Sequence, residues 1–378
     1  MPKVLIVTND FPPRAGGIQF FVHALAIRLP PESVTVYAPA WEGAAEFDAR
    51  LPFPVVRHPT SLMLPVPSVA RRAVGMIERE GCDTVVFGAA APLGLLAPQL
   101  RRAGARRIVA LTHGHEAGWA TLPGARAVLR RIGDTVDTVT YLGEYTRLRL
   151  SWALSPAAVR RMTRLAPGVD TSEFHPGSGG PAIREQWGLG TRPVVVCVSR
   201  MVLRKGQDTL IRAWPLVLAV VPDATLFLVG DGPYRDRLQR LARHLGVDGS
   251  VIFAGAPSRA ALPGYYDAGD VFAMPCRTRR RGLDVEGLGM VFLEASATGL
   301  PVVGGDSGNS PDAIRVGETG YVVPGGRVAD LADRLIRLLT DPVAARAMGE
   351  KGVSWVNREW HWDVIARRFT EIVGDSAD

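Results

Sequence analysis

The sequence predicts an α/β protein built from two Rossmann-like domains facing across a deep cleft. Three observations carry this prediction. The chain has 378 residues, more than one ordinary hydrophobic core organises. Short apolar runs alternate with stretches of helical periodicity, and the alternation occurs twice, on either side of a segment rich in Gly, Pro and Ser. Hydrophobic residues make up 47% and charged residues 21%, a balance typical of folded chains.

The first series of strands reads "KVLIVTN", "SVTVYAP", "DTVVFGA", "RIVALTH" and "DTVTYLG". Such nearly continuous apolar runs suit a parallel sheet covered on both faces. Between the first two lies "IQFFVHALAIRL", in which Ile18, Phe21, Val22, Leu25 and Leu29 share one helical face. "APGVDTSEFHPGSGGP", residues 166–181, is the expected boundary. The second series reads "PVVVCVS", "ATLFLVG", "VIFAGA", "DVFAMPC" and "LPVVGGD". From about residue 328 the chain reads as helical. The expected domains are 1–168 and 169–358, with a helix over 359–378 packing back on the first. In open sheets of this kind, ligands sit at the carboxyl ends of the strands.

Composition narrows the function classes. No apolar run reaches the ~18–20 residues of a membrane helix, and "MPKVLIVTND" reads as a first strand rather than a signal peptide. Cys82, Cys197 and Cys276 are widely separated with no C-x-x-C, which suggests neither a disulfide framework nor a zinc site and fits a reducing cytoplasm. The net charge of +7 is uneven: residues 1–168 hold 20 Lys and Arg against 12 Asp and Glu, the remainder 24 against 25. A basic first half suggests an anionic partner, whether nucleic acid, anionic lipid or phosphorylated substrate, or else arginines that merely solvate helix faces. Only three lysines occur, Lys3, Lys205 and Lys351, so each stands out against an arginine background.

G-x-G-x-x-G after the first strand, G-x-x-x-x-G-K-[ST] and G-x-S-x-G are all missing. Nicotinamide, P-loop and α/β-hydrolase chemistry lose ground accordingly. Four other stretches carry chemistry. In "TNDFPPRAGGIQFF", Gly16 and Gly17 let backbone approach a ligand ahead of a helix amino terminus, or form a tight turn with a cap. In "LTHGHE", His113 and His115 share a face at a strand end. With no further metal ligand in sight, His113 reads as a cleft-facing hydrogen-bonding group or as a structural histidine. In "VSRMVLRKGQDTL", Arg200 and Lys205 lie on a strand-to-helix loop and suit a diphosphate, or are ordinary loop cations. In "DVEGLGMVFLEASATGLPVV", Gly287 and Gly289 precede a helix whose first amides, near Met290 and Val291, are free donors for a phosphate. Glu294 lies early in that helix, placed for ribose hydroxyls or for capping, and Glu286 lies in the loop before it, nearer whatever follows the phosphates or else simply solvated.

In this order and spacing, Gly16-Gly17, His113, Arg200-x4-Lys205 and Glu286-x7-Glu294 followed by "ASATGLPVV" resemble the retaining glycosyltransferases of the GT-B fold, in family 4. The resemblance spans almost the entire chain. The stretches "VVFGAAAPLGLLAP", "THGHEAGW" and "DVFAMPCRTR" narrow it to actinobacterial members. It implies GDP-mannose as donor and a mono-mannosylated phosphatidylinositol as acceptor. It further implies that Arg200 and Lys205 hold the donor diphosphate, Glu286 the mannose and Glu294 the ribose. On the same resemblance Gly16 and Gly17 would close over the phosphates, His113 would face the transferring sugar, and the strand around Val251 would meet the guanine through backbone groups. The chain departs from the family where Gly-Gly-x-Pro-Glu is usual: it has "SGNSPD", with Asp312 in place of the glutamate. Gly143 replaces a common serine, and Arg280 and Arg281 are additional.

The expected mechanism is a same-face transfer in which the leaving diphosphate takes the acceptor proton, with Arg200, Lys205 and the helix start near Met290 stabilising the departing charge. No Asp-x-Asp pair occurs, so no cofactor and no obligatory metal is expected. A lipid acceptor gives the basic first half a purpose. "GWATLPGARAVLRRIGD" offers Trp119, Leu122, Val128, Leu129 and Ile132 with Arg126, Arg130 and Arg131, either as an anionic-membrane surface or as a core-packed helix with a solvated face. The expected location is cytoplasmic and peripheral on the inner face of the membrane, with no nucleic-acid partner. Two alternatives compete: a soluble GT-B transferase using a UDP-sugar and a small acceptor, and a non-catalytic sugar-binding protein.

Overall fold

The computed structural model describes residues 2–114 and 116–374, the side chain of Arg281 excepted; His115 lies outside the described residues. The chain forms two compact units, one of Met1–Pro167 with the chain from Asp363 onward, the other of Gly168–Trp362.

The first unit is a parallel sheet of seven strands: β1 (Val4–Val7), β2 (Val34–Pro39), β3 (Val55–His58), β4 (Thr84–Phe87), β5 (Arg107–Ala110), β6 (Thr138–Tyr141) and β7 (Met162–Arg164). They lie in the order β3-β2-β1-β4-β5-β6-β7. The central strands β1 and β4 are buried along their whole length, as a sheet covered on both faces requires. The outer strands β3 and β7 are only partly covered. Leu5, Val7, Phe87 and Ile108 form the sheet's side of a core that Met76, Ile77 and Leu100 fill from the flanking helices. Each such side chain contributes roughly 1.5–3 kcal/mol by leaving water. The terminal helix Trp362–Gly374 is tied to this sheet: Ile372 O accepts from Arg107 Nε at 3.1 Å and Val373 O from Thr84 Oγ1 at 3.4 Å.

The second unit is a parallel sheet of six strands: β8 (Val194–Val198), β9 (Thr225–Val229), β10 (Val251–Gly255), β11 (Val271–Met274), β12 (Val302–Gly305) and β13 (Gly320–Val323), in the order β10-β9-β8-β11-β12-β13. The strand order reverses between β1 and β4 in the first sheet and between β8 and β11 in the second. Those two switch points are where open α/β sheets receive ligands.

The Gly/Pro/Ser-rich stretch after β7 is not a loose tether. Phe174 packs edge-on against Tyr266 with ring centroids 5.7 Å apart. The Asp267 carboxylate accepts from the N–H groups of Gly177, Gly179 and Gly180 at 2.9, 3.1 and 2.6 Å. Val169 pairs with His361 in a parallel bridge, so the chain enters and leaves the second unit side by side. Among the described residues, no helix is long and apolar enough to cross a membrane.

Candidate active site

The polar residues of the second unit converge at its switch point. After β8 the chain passes Ser199 and Arg200, makes a turn over Leu203–Lys205 and enters the helix Gln207–Leu218. Gly206 makes the turn possible. Its φ of 79° is left-handed, and a Cβ there would stand 2.1 Å from the Pro275 carbonyl oxygen. The turn delivers Lys205, 9% exposed, to Glu286, 6% exposed, with Nζ 2.7 Å from Oε2. Arg204 flanks the pair, with Nε 3.7 Å from Glu286 Oε2 and Nη1 3.6 Å from Asp284 Oδ1. Arg279 reaches the other Asp284 oxygen at 3.6 Å. Arg200 is exposed and enters no ion pair among the described residues. It lines a hollow of about 350 Å³ at the carboxyl ends of β8 and β9, with Ser199, Gly230, Asp231, Pro257 and Leu262.

Glu286 and Glu294 stand on either side of a helix start. Gly289, at φ 79°, precedes the helix Met290–Ala297, and no side chain caps it. The first amides of this helix, including those of Met290 and Val291, have no acceptor within it. Glu294 accepts from the Tyr266 hydroxyl at 2.6 Å. Burial pushes the Glu294 carboxyl above the usual glutamate range, outweighing the hydrogen bond from Tyr266 that lowers it. Burial and the neighbouring Glu294 push the Tyr266 phenol well above its ordinary value.

The structure thus brings Lys205, Glu286, Met290, Val291 and Glu294 together within one unit, with Arg200 on the adjoining loop. It does not bring in Val251. That residue is buried at the amino end of β10, whereas the hollow opens beyond the carboxyl end, past Gly255. A parallel strand rises about 3.3 Å per residue, so Val251 is on the order of 13 Å from the ligand end. Sequence reasoning missed Tyr266, Asp284, Ser307 and Asn309. The one signal available was chemical: a tyrosine ahead of a core strand needs a partner for its hydroxyl.

In the first unit, Gly16, Gly17 and His113 gather around the β1/β4 switch point. A Cβ on Gly16 would fall 2.1 Å from Gln19 Oε1, whose amide is held to Asp10 at 2.7 Å. A Cβ on Gly17 would meet nothing within 4 Å, so packing does not require that glycine and space is left beside it. His113 Nε2 lies 2.5 Å from the Gly88 carbonyl oxygen, just past β4. A carbonyl only accepts, so Nε2 carries the proton. His113 N–H donates to Glu116 Oε2 at 2.9 Å, and Phe21 meets the ring edge-on at 5.8 Å.

The expected membrane surface is divided differently. Leu129 and Ile132 of the helix Pro123–Thr135 are core residues, and Trp119 and Val128 lean on the same core. The core takes up Leu129 and Ile132, whereas Trp119 and Val128 pack against it and stay partly exposed. Arg126, Arg130 and Arg131 remain exposed, as does Leu122.

The architecture and this cluster define a GT-B glycosyltransferase. The family model Glycosyltransferase Family 4 matches residues 15–173 and Glycosyl transferases group 1 matches residues 181–355. A GDP-mannose-dependent alpha-(1-6)-phosphatidylinositol monomannoside mannosyltransferase from Mycolicibacterium smegmatis is 52% identical over 98% of both chains. A GDP-mannose-dependent monoacylated alpha-(1-6)-phosphatidylinositol monomannoside mannosyltransferase from Corynebacterium glutamicum is 44% identical over 98% of this chain and 97% of its own. The chain belongs to glycosyltransferase family 4. Among solved structures, HepE of Anabaena in complex with UDP superposes with a TM-score of 0.83 at 19% identity, over 98% of this chain and 99% of that one. Sucrose-phosphate synthase from Thermosynechococcus elongatus superposes with a TM-score of 0.74 at 21% identity, over 98% of each. At these identities the likeness speaks for the fold.

Proposed function

We propose that the protein is a retaining mannosyltransferase that moves mannose from GDP-mannose onto a phosphatidylinositol monomannoside in an α-1,6 linkage, acting peripherally on the inner face of the cell membrane. The observation that carries the donor half is the buried Lys205–Glu286 pair at the second switch point, beside the helix start at Met290. A buried ammonium beside free helix amides suits an anionic diphosphate. A carboxylate next to them accepts from sugar hydroxyls, and Glu294, oriented by Tyr266, accepts from the ribose. The mannose and lipid assignments are supported by similarity over nearly the full length of the relatives named above.

The transfer follows a same-face course. The bond from the anomeric carbon to the diphosphate breaks, the acceptor hydroxyl bonds to the same face, and its proton passes to the leaving diphosphate. Arg200, Lys205 and the amides at Met290 and Val291 stabilise the charge that develops on that oxygen. Glu286 is engaged with Lys205 and the sugar and supplies no nucleophile. The reaction runs without an obligatory metal, and activity abolished by a chelator would contradict this. Peripheral attachment is supported by the basic first half of the chain and by the exposed Arg126, Arg130 and Arg131. Calorimetry with GDP and UDP tests the donor: GDP binds more tightly, and equal affinities would contradict the assignment.

A further inference from the structure

The departure from the family's pattern after β12 has a structural partner. Ser307, Asn309 and Ser310 follow that strand and are polar, yet their exposures are 0%, 1% and 0%. Buried polar groups are retained when they are paired. Ser310 Oγ donates back to the Gly305 and Ser307 carbonyls, while the pairing of Ser307 and Asn309 converges on the main chain around Glu286. Glu286 N–H donates to Ser307 Oγ at 3.1 Å. Asn309 N–H donates to the Glu286 carbonyl at 3.3 Å. Asn309 Nδ2 donates to the Gly287 carbonyl at 2.5 Å. Gly308, at φ 58°, permits the close approach, since a Cβ there would fall 2.0 Å from the Glu286 carbonyl oxygen.

We propose that Ser307 and Asn309 are positioning residues that aim the Glu286 carboxylate and thereby set which donor sugar is turned over. This rests on the reading of Glu286 as the sugar-facing carboxylate. The peptide groups on both sides of Glu286 are held by one loop, which fixes its Cα–Cβ direction. Lys205 holds the far end of the side chain at 2.7 Å. The carboxylate is therefore held at its root by residues after β12 and at its tip by a residue after β8. Distinguishing a sugar from its epimer depends on where an acceptor oxygen stands. A displacement of about 1 Å costs on the order of 10²-fold when a reacting group depends on it. Besides Lys205, the diphosphate is met by Arg200 and the helix amides and the ribose by Glu294, so a misplaced Glu286 weakens sugar-dependent turnover far more than nucleotide binding.

The test uses the full chain with Asn309→Asp, Ser307→Ala and, for reference, Glu286→Gln. Asn309→Asp keeps the shape but sets an acceptor oxygen against the Gly287 carbonyl. Ser307→Ala removes the acceptor for Glu286 N–H at little cost in volume. GDP affinity is measured by calorimetry, and kcat/KM is measured for GDP-mannose and for its C2 epimer GDP-glucose. Both positioning variants are expected to hold GDP affinity within about twofold and to lose about tenfold or more in kcat/KM for GDP-mannose, with a lower mannose-to-glucose ratio. An unchanged ratio and turnover, or a parallel fall in GDP affinity and turnover, overturns the proposal. If Glu286→Gln itself leaves sugar-dependent turnover intact, the reading of Glu286 fails, and the proposal fails with it.

Discussion

Lys205 and Glu286 are both nearly removed from water and lie 2.7 Å apart. Deleting Lys205 leaves the buried Glu286 carboxylate with only the more distant Arg204, at 3.7 Å, and costs on the order of a few kcal/mol in stability. Activity of Lys205→Ala must therefore be expressed per folded molecule. On that basis Arg200→Ala and Lys205→Ala are each expected to lose on the order of 10²-fold in kcat, because in the proposed mechanism both stabilise charge that develops on the leaving group. Near-wild-type turnover in either would remove that residue from the diphosphate site. Glu294 gives a pH prediction. Burial raises its carboxyl above the ordinary glutamate range. In the proposed ribose-binding role, protonation removes acceptor capacity for the hydroxyls, so donor affinity falls on acidification from a pH above that range. Glu294→Gln abolishes this acid limb, and an acid limb that persists unchanged in calorimetric titrations assigns it elsewhere. Arg200, Lys205, Glu286 and Glu294 could be singled out in the sequence because Arg200 and Lys205 lie between a strand end and a helix start and the two glutamates flank a glycine-led helix start. Tyr266, Ser307 and Asn309 were not, because their contacts join residues 28, 21 and 22 positions apart. Nothing in local spacing announces such pairings.

At the scale of elements, what was legible follows burial. The ten strands read from the sequence are rich in β-branched and apolar residues and lie largely within the covered parts of the sheets. β3, β7 and β13 were not read as strands. "VVRH" and "MTR" are short, half-covered edges with polar residues, and "GYVV" opens on a glycine. Such segments carry little periodicity, and the neighbouring strand decides their conformation. The helix Pro123–Thr135 has the same arginine-rich, apolar composition whether it meets a membrane or a core; here the core of the first unit claims Leu129 and Ile132. Turns are the elements whose geometry is most directly testable. Gly206→Ala forces a left-handed residue against the Pro275 carbonyl and is expected to cost about 1–3 kcal/mol or more, while shifting Lys205 away from Glu286. A thermal melt and donor titration equal to wild type would show that this turn does not hold the lysine in place.

For the whole molecule, the α/β class and two-sheet organisation follow from a strand–helix alternation that occurs twice. Each sheet then offers its switch point to a ligand. The uneven charge is a property at this scale too: the excess of arginine lies in the first half of the chain. Binding to vesicles containing anionic phospholipid is therefore expected to exceed binding to neutral vesicles and to weaken as salt screens the charges. Equal sedimentation with both vesicle types would remove the electrostatic part. The central claim is mannose transfer from a nucleotide donor to a mannosylated phosphatidylinositol. It is tested most directly by incubating the purified chain with GDP-mannose and either mono- or di-mannosylated phosphatidylinositol, then determining product and linkage. The account predicts a single α-1,6-linked mannose added to the mono-mannosylated lipid. No transfer to that lipid, or transfer only from a UDP-sugar, would contradict it.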